Sequence, residues 1–264
     1  MRNVYLDNNA TTQVAPEVVE AMLPFLKEQY GNPSSMHSFG GTVNAPVEEA
    51  RQAVADLIGA QESEIIFTSC GTEADNTAIM SALNTQPDKN HIISSRVEHP
   101  AVRSLLLHLR RRGYLVTEVG VDGDGLLDPR DIERAITKKT ALISVMAANN
   151  ETGVLFPVAE VGALARRNGI LFHTDAVQLV GKQLIDVNEL NVDFLAMSGH
   201  KLHAPKGVGA LYVRRGTRFR PFVIGGHQER GRRGGTEAVP NVIAMGKAAE
   251  LAKTHVDEEQ GRVR

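Results

Sequence analysis

The residues of this chain best suited to chemistry lie in Leu195-Ala-Met-Ser-Gly-His-Lys-Leu-His-Ala-Pro-Lys-Gly-Val-Gly209, with Lys201 at the centre. The apolar run from Phe194 to Met197 reads as a short buried strand that empties into a small-residue turn carrying Ser198, His200 and Lys201. At the mouth of a buried strand an ammonium loses hydration, and a nearby cation lowers its pKa further, which turns a lysine into an amine nucleophile able to form a Schiff base. Taken alone, the motif reads better as a surface loop, because short motifs match often by chance. A second site upstream changes that balance. In Ile170-Leu-Phe-His-Thr-Asp-Ala-Val-Gln178 another apolar strand ends in His173, Asp175 and Gln178. A parallel sheet would bring both strand ends to one edge, where α/β proteins form ligand sites.

A lysine and a carboxylate facing one crevice suit pyridoxal phosphate. The lysine holds the aldehyde, and the carboxylate keeps the ring nitrogen protonated so that the ring can accept electrons. The phosphate needs a cradle, and Glu64-Ile-Ile-Phe-Thr-Ser-Cys-Gly-Thr-Glu-Ala-Asp75 offers a strand, a turn at Gly71 and Thr72, and then a helix start. Free N–H groups at such a start, with hydroxyls from Ser69 or Thr72, suit a dianion. Thr72 and Glu73 by themselves read as an ordinary helix cap. Cys70 sits in the same turn, where an anionic sulfur would be repelled by phosphate, so it reads as a neutral, partly buried thiol and not as a nucleophile. The histidines at 173, 200, 203 and 227 have no established ligand spacing, and no metal site is assigned to them.

The motifs along the chain resemble those of the cysteine desulfurases among the fold-type I pyridoxal phosphate enzymes, most closely the nitrogen-fixation branch called NifS. The resemblance rests on Val4-Tyr-Leu-Asp-Asn-Asn-Ala-Thr-Thr12, Gly31-Asn-Pro-Ser-Ser35, Phe67-Thr-Ser-Cys-Gly-Thr-Glu73, Val97-Glu-His-Pro100, Ala148-Asn-Asn-Glu-Thr-Gly153, His173-Thr-Asp-Ala-Val-Gln178, Ser198-Gly-His-Lys201 and the run from Gly225 to Glu237. It implies that Lys201 carries the cofactor and that Asp175 faces its ring nitrogen. His99 would stack on the ring and move protons at the substrate carbon, Asn150 and Gln178 would lie near the phenolic oxygen, and Ser198 and His200 would hold phosphate. By spacing alone, His99 reads as a structural group, and Asn150 and Gln178 as loop side chains bonded to their own backbone. The resemblance further implies a homodimer in which Thr236 touches the partner's cofactor phosphate. The implied reaction takes L-cysteine to L-alanine and leaves the sulfur on an enzyme cysteine as a persulfide. That sulfur would serve an iron–sulfur scaffold protein, in this branch for nitrogenase. Relatives carry the substrate-carboxylate arginine and the nucleophilic cysteine in a smaller C-terminal domain; neither is found here, and the chain is expected to be a C-terminally truncated piece.

Composition fits a soluble enzyme domain: 264 residues, 42% hydrophobic, 23% charged and a net charge of −2, which argues against nucleic acid. No apolar stretch is long enough to span a bilayer, no signal peptide is evident at Met1, and the lone cysteine suits a reducing compartment, so a cytoplasmic location is expected.

The elements that must position these residues follow from periodicity. Residues 3–12 read as a strand and polar loop. A helix is expected from Pro16 to Tyr30, with Val18, Val19, Met22, Leu23 and Leu26 on one face and a bend at Pro24; a turn-rich loop over 31–42 and a helix over 45–58 follow. Strands are expected at 64–69, 91–95, 114–120, 140–147, 170–175, 192–197 and 208–213, and helices near 72–83, 100–112, 129–136, 157–168 and 238–255. The alternation implies a three-layer α/β/α fold on a mostly parallel seven-stranded sheet, with the last two strands antiparallel because their link is too short for a crossover. This is also the large domain of the resembling enzymes. The expected division is an N-terminal segment over 1–15, the cofactor-binding domain over 16–255 and the start of a second domain over 256–264. The Gly- and Arg-rich stretch after Arg214 reads, from composition, as a solvated mobile loop.

Overall fold

The computed structural model describes residues 4–263. Residues 1–3 and 264, at the ends of the first and last expected segments, lie outside the described residues. Seven strands, β1 (Ile65–Thr68), β2 (His91–Ser95), β3 (Leu115–Val119), β4 (Thr140–Ser144), β5 (Leu171–Asp175), β6 (Phe194–Ser198) and β7 (Gly209–Val213), form one sheet in the order β1-β7-β6-β5-β4-β2-β3. The pairs β3/β2, β2/β4, β4/β5 and β5/β6 are parallel, while β6/β7 and β1/β7 are antiparallel. The helices are α1 (Pro16–Lys27), α2 (Ser38–Gly41), α3 (Asn44–Leu57), α4 (Gly71–Asn84), α5 (Pro100–Arg111), α6 (Pro129–Ala135), α7 (Val158–Arg167), α8 (Val187–Leu190) and α9 (Val239–Val263).

Consecutive strand residues point to opposite faces, and both faces are apolar, so the strands lack the alternation of a half-exposed sheet. Ile66, Ile92, Leu142, Phe194, Ala196 and Leu211 pack on α4 and α5. Ile65, Phe67, Ile93, Ile143, Phe172, Leu195 and Tyr212 pack on the opposite layer, which includes α3, α7 and α9. The three-layer architecture expected from the sequence is therefore the one observed.

The register explains how the sheet gathers its polar ends. Gly209 pairs with Thr68 of β1 on one side and with Ser198 of β6 on the other. Because β7 is antiparallel to both, β1 and β6 point the same way, and the residues after Thr68 and Ser198 emerge at the same edge as Asp175, the last residue of β5. No Cβ fits at Gly209: it would lie 2.7 Å from the carbonyl carbon of Cys70 and 2.8 Å from the oxygen of Met197, both main-chain atoms.

Three expectations need correction. Residues 4–12 form no strand; they run as an irregular strap with a turn at 8–10, its bonds going to side chains and loops instead of a ladder. The 31–42 loop contains α2, capped by His37 Nδ1 accepting from the Gly40 N–H at 3.1 Å. On α1 only Val18 is buried, whereas Val19 and Leu26 of the expected apolar face are 38% and 56% exposed. The helix ends at Lys27, running on through Pro24. Among the described residues no helix is long and apolar enough to cross a membrane.

Gly209→Ala is expected to destabilise the chain by about 1–3 kcal/mol, since main-chain atoms cannot yield as a side chain would. Gly123→Ala, at a site with open space around it, is the control; urea unfolding of both variants checks the difference.

Candidate active site

At the edge defined by Thr68, Asp175 and Ser198 the chain encloses a cavity of about 470 Å³. Nine of the expected site residues line it: Gly71, Thr72, His99, Asn150, Asp175, Gln178, Ser198, His200 and Lys201. Thr236 does not; it is exposed on the loop before α9. That loop is anchored and not merely solvated, contrary to what its composition suggests. Glu229, 5% exposed, accepts from Arg51 Nη1 at 2.6 Å, Arg51 Nη2 at 3.0 Å and the Phe67 N–H at 3.0 Å. Arg233 grips Glu73 through two bonds of 2.8 and 3.0 Å, tying the loop to the first turn of α4.

α4 begins at Gly71 because Cys70 is still extended, at φ −175° and ψ 172°, and no side chain caps the first N–H groups. Those donors therefore face the cavity wall without a capping partner, which suits an anion. Gly71 has little room for a side chain, as a Cβ would come within 2.8 Å of Val177 Cγ2. Ser198 and His200 line the same cavity, Ser198 next to Gly71, its Cβ 3.4 Å from where a Gly71 Cβ would sit. Burial, then the charges of Lys201 and Lys206, hold the His200 imidazole below the usual histidine range, and its Nδ1 lies 3.1 Å from Thr11 Oγ1.

Lys201 follows β6 in a single turn of 3-10 helix. Its ammonium donates to the carbonyls of Asn9 and, at 3.0 Å, Ala10. Burial lowers its pKa, while the charges of Asp7 and Asp175 oppose the shift. The strap is laced to this turn by the Thr12 N–H and Thr12 Oγ1 donating to the His200 carbonyl at 3.0 and 2.9 Å. Gln178 Nε2 adds a bond to the Asn9 carbonyl at 3.0 Å. Sequence reasoning missed these partners, because a main-chain carbonyl leaves no mark in residue type.

His99, which lines the same cavity, caps α5, its Nδ1 accepting from the Ala101 N–H at 3.1 Å. A neutral ring held this way carries its proton on Nε2. Asp175 is 6% exposed; its Oδ1 accepts from the Val177 N–H at 3.0 Å, and burial followed by the charge of Asp75 pushes its pKa up to about 7. Cys70, half-buried, also lines the cavity, with Ser69 Oγ 3.7 Å from its Sγ. Asn150 donates to Glu151 Oε1 at 2.7 Å, on a loop held by Asn149. Among the described residues no group of three or more histidine, cysteine or acidic side chains is arranged to hold a metal ion.

Glu98, beside His99, was also missed by sequence reasoning. Its Oε1 accepts from Ser95 Oγ at 2.6 Å and from the Met146 N–H at 3.0 Å, and burial raises its pKa to about 8 from 4.5. Between those values the folded chain keeps a proton that the unfolded chain releases, so this group makes the protein progressively less stable as pH rises from about 4.5 to 8. Glu98→Gln, which has no proton to lose, is expected to melt with the parent at the acid end of that window and several degrees above it at the alkaline end. An equal difference at both ends would refute this account of Glu98.

The chain matches the aminotransferase class-V family over residues 4–262. It is 58% identical over 258 residues to a cysteine desulfurase of Trichormus variabilis, an alignment covering 98% of this chain and 65% of the relative. It is 56% identical over 264 residues to the cysteine desulfurase NifS of Azotobacter vinelandii, covering 100% of this chain and 66% of that protein. The chain thus spans about two thirds of the length of these relatives. Among solved structures, a NifS-like protein superposes with a TM-score of 0.95 at 41% identity, covering 97% of this chain and 71% of that one. A second, described as SspA in complex with cysteine, has a TM-score of 0.92 at 38% identity, covering 94% and 72%. With that sheet shared and the family match running over nearly every described residue, the chain belongs to the aminotransferase class-V family, a family of pyridoxal phosphate enzymes, and stands within it beside the NifS-like cysteine desulfurases.

Proposed function

We propose that the protein is the cofactor-binding part of a pyridoxal phosphate-dependent cysteine desulfurase. The observation that carries this reading is the placement of Lys201 and Asp175 on one cavity with the uncapped start of α4. The donor set fits the cofactor: helix N–H groups at Gly71 and Thr72 with Ser198 and His200 for the phosphate, the Lys201 amine for the aldehyde, and the Asp175 carboxylate for the ring nitrogen. Asn150 and Gln178, which line the same cavity, would serve the phenolic oxygen in this assignment. When bound, pyridoxal phosphate supplies an electron sink that makes the α-proton of an amino acid acidic.

The chain's own residues do the rest. A cationic ring nitrogen held beside Asp175 would favour the ionised carboxylate and offset the burial that raises its pKa to about 7. Lys201, with its ammonium held by the Asn9 and Ala10 carbonyls and its pKa lowered by burial, gives up a proton more readily than a surface lysine and can then accept one from the substrate carbon. His99, fixed by the Ala101 N–H, presents a second proton-transfer group to the same cavity. L-Cysteine is the proposed substrate and L-alanine the product, with the sulfur leaving to a cysteine thiolate other than Cys70 and then to an iron–sulfur scaffold protein, in this branch for nitrogenase. A cytoplasmic homodimer belongs to the same reading; the anchored loop with exposed Thr236 outside its own cavity supports a reach toward a partner's phosphate. The division into a segment over 1–15, the cofactor domain over 16–255 and the start of a further domain over 256–264 is also part of this reading.

Added pyridoxal phosphate is expected to give a protein-bound visible absorption band. Lys201→Ala should abolish it and Cys70→Ala should leave it intact; a band lost in the cysteine variant would overturn the assignment of that thiol. Sulfide release from L-cysteine, assayed with the chain extended to the length of its relatives, tests the substrate.

A further inference from the structure

Beneath the cavity lies a set of buried ionisable groups that the proposed chemistry leaves without a role. Asp75, one turn along α4 from Gly71, lines the cavity yet is 1% exposed. His173, fully buried, sits two residues before Asp175 and so on the same face of β5. Its Nε2 is 3.3 Å from Asp75 Oδ1, and its Nδ1 is 2.9 Å from Ser144 Oγ. Neither Asp75 Oδ1 nor His173 Nε2 makes an aligned hydrogen bond, to the other or to any further described group, so the two are in contact without a formed bond.

Three carboxyl groups close together in a dry space cannot all be ionised, because each charge raises the cost of the next. The groups that act on Asp175 come from every element around it: Asp75 from α4, His173 from β5, Glu98 and His99 from the connection between β2 and α5, and Lys201 from the turn after β6. Burial raises Asp75 well above the usual carboxylate range and lowers His173 to about 4. A neutral His173 can accept the Ser144 hydroxyl proton on Nδ1 and carry its own proton on Nε2, the atom that faces Asp75. Asp175 differs from Asp75 in accepting a main-chain N–H, from Val177, which favours its charged form.

We propose that Asp75 is a positioning residue, an uncharged carboxylic acid oriented by the Ser144–His173 pair, that leaves Asp175 the single ionised carboxylate at the cavity floor. The inference rests on the assignment of Asp175 to the cofactor's ring nitrogen. No oxidant or further reactant is involved, as the role is to fix where one proton and one charge reside.

Two measurements test it. In the cofactor-free chain, NMR with nitrogen-15-labelled histidine is expected to show His173 neutral, with its proton on Nε2, down to pH 5; titration as an ordinary imidazolium above that pH would overturn the proposal. This needs no variant, and it decides the proton arrangement even if pyridoxal phosphate fails to bind, a result that would instead sink the assignment of the cavity. In the loaded chain, Asp75→Asn keeps size, neutrality and an acceptor for Nε2–H. Its pyridoxal phosphate dissociation constant is expected to stay within about twofold of the parent from pH 6 to 9, whereas Asp75→Ala should weaken binding roughly tenfold, about one pKa unit's worth of interaction. If Asp75 instead carries a charge, Asp75→Asn will shift the midpoint of the binding profile by about a unit or more. That shift, or an asparagine variant no better than alanine, would overturn the proposal.

Discussion

A carboxylate at the bottom of a dry cavity is tolerable only when a cation faces it, and the site depends on that constraint. Asp175 is nearly sealed, shares its surroundings with Asp75 and Glu98, and is drawn toward its protonated form by burial. A protein built only for stability would place an apolar residue there, since a buried charge without a partner is destabilising. Its presence marks the position where a positive group must sit. The lysine across the cavity is compromised in the opposite sense, losing hydration while two main-chain carbonyls hold its ammonium. Two groups of opposite sign, both pushed toward neutrality, are what a ligand with an electrophilic carbon and a basic ring nitrogen requires.

The sheet makes this pairing possible because β1 and β6, on either side of β7, run in the same direction. Were β7 antiparallel to only one of its two neighbours, β1 would point away from β6, and the start of α4 would lie at the opposite edge from Lys201. Because β7 is antiparallel to both, β1 and β6 keep a common direction, and Gly209 lets the main chain at Cys70 settle directly on β7. The same corner is braced from outside. Glu229 holds Arg51 and the Phe67 N–H, while Arg233 holds Glu73, so the loop bearing Thr236 is fastened to the strand and helix that form the phosphate end. Glu229 and Arg230 both adopt left-handed backbone conformations, at φ 49° and 59°, strain that the buried ion pair is placed to offset.

Much of this was legible in the sequence because the strands are short apolar runs that end in polar residues. The ends of β5 and β6 announced Asp175 and Lys201, and the Gly-Thr turn announced α4. What escaped shares one physical trait: its meaning lies in a partner distant along the chain. The strap over 4–12 lacks period-2 apolar alternation because it pairs with no strand; its function is to offer carbonyls, and any residue type can do that. Asp75 and His173 look like a helix-surface acid and a strand-end histidine until α4 docks on β5. Glu229 sits in a run rich in arginine and glycine whose composition suggests solvent, and only the position of Arg51, 178 residues earlier, buries it. The apolar face read on α1 was present in the residue types, but packing covers Val18 and leaves Val19 and Leu26 exposed.

The thiol in the cavity illustrates why proximity alone does not assign a role. Cys70 lines the same cavity as Lys201 and precedes a helix N-terminus, the surroundings in which a reactive cysteine is usually sought. Passing sulfur from a substrate to an outside acceptor, however, requires the carrier to visit two places. The main chain at Cys70 is held on the sheet by the close approach of Gly209, and its carbonyl accepts from both Thr68 Oγ1 at 3.0 Å and the Ala74 N–H at 3.2 Å. A residue clamped in this way can shape one end of a cavity but cannot leave it, so in the proposed reaction a carrier thiol would belong on an element with freedom to move.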